Sequence, residues 1–179
     1  MKVILGFTGS ISSGKGTATK YLVEKYNAKS FKFSKILRDI LDRIYLLHTR
    51  DNLIKISIVI RDSFGQDILA KIISRDVLEE NNDIIVIDGI RRPADIKYLK
   101  DIKGFKLIGI DADIKIRYER LKKRNENKDD KSKSWEDFLK DHKAETEIYI
   151  PELLKKSDHI INNNGNLEEL YKKLDSLVN

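Results

Sequence analysis

Nine residues near the start of the chain, Gly9-Ser10-Ile11-Ser12-Ser13-Gly14-Lys15-Gly16-Thr17, have the types and spacing needed to hold a polyphosphate. Glycine has no Cβ, so Gly9 and Gly14 let the backbone turn tightly and come close to an anion. Consecutive N–H groups in such a turn point inward as a nest, and a helix starting at its end adds the partial positive charge of its N-terminus. Lys15 adds a full positive charge aimed at the β- and γ-phosphates of a nucleoside triphosphate. Gly16, directly after Lys15, has no hydroxyl. Thr17 carries the nearest one, where it reaches the α-phosphate and acts at most weakly on a metal, so Mg²⁺ is left to water and a carboxylate. A glycine-rich turn with a chance lysine is the plainer reading. The order strand, loop, helix speaks against it.

Asp88 offers that carboxylate. It follows the apolar run Ile84–Ile87, and ligands of doubly wound sheets sit at the C-terminal ends of strands. An Asp there can hold the waters of Mg²⁺ beside the phosphate loop, or can merely cap the turn at Gly89. Arginines recur where they could face the same cleft: Arg38, Arg61, Arg91 or Arg92, Arg117, Arg120 and Arg124. Phosphoryl transfer uses such side chains because charge spreads over the equatorial oxygens, and a guanidinium grips phosphate with two N–H groups at once. Arg117, Arg120 and Arg124 are three and four residues apart, so one helical face can present all three. His48, His142 and His159 are isolated and suggest no nucleophilic triad.

These residues need a frame. Val3–Phe7, Ile84–Ile87, Leu107–Ile110 and His159–Ile161 are short, mostly aliphatic runs without alternation, which predicts parallel strands covered on both faces. Ser30–Phe33 is a fifth candidate. Between them, Ile68, Leu69, Ile72, Ile73 and Val77 share one helical face, as do Leu167, Leu170, Leu174 and Leu177. Leu53–Ile60 is β-rich by propensity but reads as helix, with Asp51 as its cap. Strands alternating with helices predict an α/β, doubly wound sheet. The run Lys122–Ser134 has no apolar residue and predicts a solvated loop or hairpin tip.

The 179 residues suit one domain, and with 40% of them hydrophobic the chain can bury a single core. The net charge of +6 is interleaved with acidic residues along the chain, which fits small anionic ligands better than nucleic acid. The absence of cysteine excludes disulfides, thiolate metal sites and Cys nucleophiles. No run approaches the ~20 apolar residues of a membrane span, and Val3–Phe7 is too short for a signal peptide, so a cytoplasmic location is expected.

Four stretches resemble nucleoside monophosphate kinases, in particular adenylate kinases and the smaller archaeal adenylate-kinase-related proteins. They are Gly14-Lys15-Gly16-Thr17, Phe33-Ser34-Lys35-Ile36-Leu37-Arg38, Asp88-Gly89-Ile90-Arg91-Arg92 and Arg120-Leu121-Lys122-Lys123-Arg124. A fifth, Asp158–Gly165, is similar to the last strand and turn of that family and of dephospho-coenzyme A kinases. The resemblance implies a single P-loop kinase domain over residues 1–179, its five-stranded parallel sheet in the order 2-3-1-4-5 with helices on both faces. It implies an acceptor-binding helical region over residues 34–80 and a short lid over 120–134.

By the same resemblance Ser34, Arg38, Arg61 and Arg91 or Arg92 hold an acceptor monophosphate, and Asp88 works on the Mg²⁺ side. Arg120 and Arg124 close over the transferring phosphate, while Asn163 and Gly165 lie in the turn that cradles the base of ATP. The chain has no proline before Arg91, a short lid, and a Lys55–Gln66 region closer to deoxynucleoside monophosphate kinases, which leaves the acceptor base and sugar open. The expected activity is ATP-dependent phosphorylation of a nucleoside or deoxynucleoside monophosphate, by a monomer or homodimer whose partners are small-molecule nucleotides. The alternatives are dephospho-coenzyme A kinase activity and a regulatory nucleotide-binding ATPase.

Overall fold

The computed structural model describes residues 2–123, 133–141 and 147–178. Its centre is a parallel sheet of five strands, β1 (Val3–Thr8), β2 (Lys29–Lys32), β3 (Ile84–Ile90), β4 (Phe105–Asp111) and β5 (His159–Asn162), in the order β2-β3-β1-β4-β5. The expected α/β doubly wound architecture and strand order are both found.

Three of the non-alternating runs have the predicted cause; His159–Ile161 does not, because β5 lies at the sheet edge and Ile160 is 58% exposed, leaving only Ile161 buried. Successive side chains of a strand point to opposite faces, and both faces of those three are apolar. Ile4, Ile85, Ile87 and Leu107 enter one core layer with α2 (Phe33–Arg43), α4 (Ile68–Glu79) and α7 (Ile150–Lys155). Leu5, Phe7, Val86, Ile108 and Ile110 enter the other, with α1 (Lys15–Tyr26) and α8 (Leu167–Val178). Two further helices, α5 (Ile114–Lys123) and α6 (Trp135–Asp141), follow β4. Among the described residues no helix is long and apolar enough to cross a membrane.

The structure refines several expectations. Leu53–Ile60 lies within α3 (Arg50–Phe64), but the cap is Thr49, whose Oγ1 accepts the Asn52 N–H at 3.1 Å. Asp51 sits in the first turn of that helix. Leu53, Ile56 and Ile60 pack inward at helical spacing, whereas Ile54, Ile58 and Val59 are exposed, so a run that alternates like a strand is divided by the 3.6-residue period. Phe33 is the first residue of α2 rather than the last of β2, and β3 continues past Ile87 to Ile90, carrying Asp88 inside the strand. Leu167, on the first turn of α8, is exposed; Leu170 and Leu174 are buried.

One polar cluster fastens α8 to α1. Asp175 accepts hydrogen bonds from Tyr21 at 2.6 Å, Tyr26 at 2.7 Å and Lys25 at 2.9 Å, and Tyr21 stacks on Tyr171 with ring centroids 3.9 Å apart. The Tyr21 and Lys25 donors hold the Asp175 carboxyl down at about 2, from an ordinary 3.8. A carboxylate with a lowered folded pKa adds stability that is complete above its unfolded value and disappears as pH falls through the folded one. The gap in melting temperature between the wild type and Asp175→Asn is therefore expected to be constant above pH ~4 and to close between pH ~4 and ~2. Thermal melts across that range check it, and a gap that persists at pH 2 contradicts it.

Candidate active site

The segment between β1 and α1 forms a closed loop. The Ser13 N–H donates to the Ser10 carbonyl at 3.1 Å, and the Ala18 N–H to the Gly14 carbonyl at 2.9 Å. Gly9 at φ 146° and Gly14 at φ 112° take backbone conformations that side chains disfavour, and Ser12 joins them at φ 60°. Space is also limiting. A Cβ on Gly9 would lie 2.1 Å from the Ile110 carbonyl oxygen, and one on Gly14 would lie 2.3 Å from Asn163 Nδ2. Gly9→Ala is expected to cost ~1–3 kcal/mol of stability and to reduce nucleotide affinity, measured by thermal melts and calorimetric titration. Unchanged values in both would show that the loop tolerates the extra atom.

Lys15, the first residue of α1, reaches back across the loop, and its Nζ donates to the carbonyls of Gly9 at 2.5 Å and Ser10 at 2.9 Å. The ammonium is thus held over the nest rather than extended into solvent. The Oγ atoms of Ser12 and Ser13 are buried with no hydrogen-bond partner among the described residues. Unpaired buried hydroxyls in a glycine-rich loop fit a site for an oxygen-rich ligand, while two of the loop amides are already engaged, that of Ser13 by the Ser10 carbonyl and that of Ile11 by Glu147. Gly16 and Thr17 are exposed on the first turn, and a Cβ on Gly16 would meet nothing within 4 Å.

Sheet register brings Asp88 beside this loop. It pairs with Phe7 of β1 on one side and Lys32 of β2 on the other, and the Lys32 ammonium lies 3.8 Å from its carboxylate. A cation already carried by phosphates needs only one or two protein carboxylates, so a single Asp at this edge fits a hydrated Mg²⁺. Ser34 and Arg38 follow β2 on the first turns of α2. Ser34 is exposed, and Arg38 is half-buried with no hydrogen bond or ion pair among the described residues.

The remaining expected residues are placed differently from one another. Arg61 does not open onto the cleft. It is 7% exposed, its Nη2 donates to Asp95 Oδ1 at 3.2 Å and its Nη1 to the Gln66 carbonyl, so burial and pairing commit it to the protein itself. Asp95 Oδ2 in turn accepts the backbone N–H groups of Arg91 and Arg92, each at 3.0 Å. The Arg91 guanidinium pairs with Glu147. Arg117, expected on the same open face as Arg120, is instead buried: Nε donates to the Ala112 carbonyl at 2.8 Å and Nη1 lies 3.4 Å from the Ile11 carbonyl. Burial pulls its pKa down, opposed by Asp111 and Glu147.

Asn163 is 5% exposed and donates from Nδ2 to the Ser13 carbonyl at 2.8 Å, bracing the phosphate loop from below. Arg120 Nη2 lies 3.3 Å from the Gly165 carbonyl, which sets Arg120 and Gly165 together at the turn after β5, and partial burial lowers the Arg120 pKa. Arg124 and most of the expected lid lie outside the described residues. At the start of that region Tyr118, Trp135 and Phe138 pack together, with centroids 5.1 Å apart for Tyr118–Trp135 and 5.4 Å for Tyr118–Phe138. The Arg117 guanidinium lies 5.9 Å from the Phe138 ring centre.

Two acidic residues of this site, Asp95 and Glu147, were missed by sequence reasoning. Asp95 could have been suspected from its place three and four residues after the two arginines. Glu147, which accepts the Ile11 N–H at 3.1 Å from 136 residues away, had no such signal.

Residues 8–138 match the family described as AAA domain (AAA_17). A UPF0200 protein of Methanococcus maripaludis strain C7 is 28% identical over 177 residues, covering 98% of this chain and 95% of the relative. Among solved structures, a shikimate kinase from Bacteroides thetaiotaomicron is similar with a TM-score of 0.62 at 14% identity, over 98% of this chain and 94% of that one. A dephospho-CoA kinase from Campylobacter jejuni is similar with a TM-score of 0.59 at 20% identity, over 99% and 95%. At these identities the structural likeness is one of fold, a P-loop kinase-like sheet with the phosphate loop after its first strand. With the family match spanning most of its length, the chain belongs to the AAA domain family and has a P-loop kinase-like fold.

Proposed function

We propose that this protein transfers the γ-phosphoryl group of ATP to a nucleoside or deoxynucleoside monophosphate. The observation that carries the reading is the Gly9–Thr17 loop with the Lys15 ammonium held across it, beside a sheet edge where Asp88 and Arg38, which has no partner among the described residues, stand on neighbouring elements. The triphosphate lies on the loop amides, with Lys15 on the β- and γ-phosphates and Thr17 toward the α-phosphate. The base of ATP lies toward the turn after β5, near Arg120 and Gly165. Asp88 orients the water shell of Mg²⁺, which when bound neutralises charge on the phosphates.

The acceptor monophosphate lies over the helical region of residues 34–80, held by Arg38 and Ser34 on one side and by Arg91 or Arg92 on the other. Arg61 acts behind them through Asp95. Chemistry here is positioning and charge neutralisation, because a phosphate acceptor is already anionic and needs no general base.

A hydroxyl acceptor such as dephospho-coenzyme A is the second reading, favoured by the likeness to a dephospho-CoA kinase. Such chemistry benefits from a carboxylate base at the end of β2. In this chain Phe33 and Ser34 follow β2, and the nearest acid, Asp39, is exposed and paired with Lys35. A panel of ribo- and deoxyribonucleoside monophosphates plus dephospho-coenzyme A, with ADP release as the readout, tests both. Turnover with a monophosphate is expected. Turnover with dephospho-coenzyme A alone would replace the first reading by the second, and tight ATP binding with no transfer would indicate a regulatory ATPase.

A further inference from the structure

We propose that Glu147 is a positioning residue that locks Arg91 to the phosphate loop, so that the acceptor side and the donor side of the cleft move as one unit. This deepens the kinase reading by assigning a residue to the joint between the two substrate sites. Glu147 is 6% exposed and uses both carboxylate oxygens: Oε2 accepts the Ile11 N–H of the loop at 3.1 Å, and Oε1 accepts from Arg91 Nη1.

Each of those partners is fixed a second time. The carbonyl of Ile11 faces Arg117 Nη1 at 3.4 Å, so both polar groups of one loop residue are held from outside the loop. The backbone N–H of Arg91 is held by Asp95 Oδ2 at 3.0 Å, and the other oxygen of Asp95 is held by Arg61 at 3.2 Å. A continuous chain therefore runs from α3 through Asp95, Arg91 and Glu147 to the rim of the loop. Arg61, Asp95 and Glu147 are the buried charges along this chain of contacts, and a buried charge is costly to leave without its partner. The arrangement also favours Arg91 of the two adjacent arginines: its guanidinium is tied through Glu147 to the loop, and the backbone N–H of Arg92 shares the Asp95 anchor.

A base role for Glu147 fits less well. Both of its oxygens are already engaged, one by the Ile11 amide and one by the Arg91 guanidinium. Its place is to fix the angle at which Arg91 meets an incoming phosphate. Misplacement of such a group by about 1 Å can cost about 10²-fold in rate.

The test compares wild type, Glu147→Gln and Glu147→Asp in two measurements. In the ligand-free proteins, deuterium exchange is followed over residues 9–14, residues 90–95 and the β4 core. Glu147→Gln is expected to speed exchange in both named segments by about tenfold and to leave β4 unchanged. With the acceptor that the panel identifies, Glu147→Gln is expected to raise the acceptor KM about tenfold and lower kcat about 10²-fold, with the ATP KM within about threefold and partial recovery in Glu147→Asp.

Unchanged exchange at residues 90–95 overturns the proposal. So does an equal loss for both substrates accompanied by faster exchange in β4, which is the signature of a residue that only stabilises the fold. Calorimetric titration of the wild type with Mg²⁺ and a non-hydrolysable ATP analogue separates the two levels. A wild type that does not bind the analogue refutes the kinase reading, while the exchange result still decides whether the joint exists.

Discussion

Lys15→Ala lowers turnover by about 10³-fold or more, to the background of the assay, while the protein keeps its fold. The expectation rests on where the ammonium sits. Lys15 Nζ is bonded to the carbonyls of Gly9 and Ser10, across the loop proposed to hold the phosphates. In the transition state, charge grows on oxygens within reach of that group, and a preorganised donor in a shielded site is worth several kcal/mol there. The same two hydrogen bonds also close the loop from inside, so some loss of ATP affinity accompanies the loss of rate. ADP release at saturating ATP, together with a circular dichroism melt, checks the result. Normal turnover in a folded Lys15→Ala protein would remove the basis of the proposed function.

The second large effect is expected at Asp88. Asp88→Asn keeps the shape of the side chain and removes its charge, and kcat is expected to fall about 10²-fold with a rise in the Mg²⁺ concentration needed for half-maximal rate. The carboxylate is mostly shielded, and among the described residues it pairs with Lys32 at 3.8 Å, too far for a short hydrogen bond. Its register partner Phe7 lies on the strand that leads into the phosphate loop. A Mg²⁺ titration of the rate distinguishes this role from that of a turn cap before Gly89. If Asp88→Asn alters the melting temperature and leaves the Mg²⁺ dependence alone, the residue is structural.

What could be read from the sequence follows how far apart the cooperating residues are. The phosphate loop was legible because β1, the loop and α1 are contiguous, and the glycines, the lysine and the flanking apolar run each have a local reason. The sheet was legible because β1, β3 and β4 are apolar on both faces, whereas in the edge strand β5 only Ile161 is buried. β2 was harder to see, since Lys29 and Lys32 are exposed and only Ser30 and Phe31 are partly covered at the sheet edge. α3 showed the opposite conflict: its β-branched residues suggest a strand, and the Thr49 cap with the Leu53, Ile56 and Ile60 stripe decides for a helix.

The site residues divide in the same way. Lys15, Asp88 and Arg38 were marked by their neighbours in the chain. Arg61 and Arg117 were chosen for their chemistry and Asn163 by the family resemblance, and all three side chains bond other protein groups, which a single sequence does not reveal. Glu147 was invisible for the converse reason: its partners Ile11 and Arg91 lie 136 and 56 residues away, and only the folded sheet brings the three together.

The aromatic cluster at the end of α5 gives the molecule a built-in optical reporter. Trp135 is the chain's one tryptophan, it meets Tyr118 edge-on, and Phe138 beside it carries the guanidinium that reaches the Ile11 carbonyl. The indole is thus linked by contacts through two side chains to the rim of the loop, and its unlabelled emission is expected to change when a nucleotide fills the cleft.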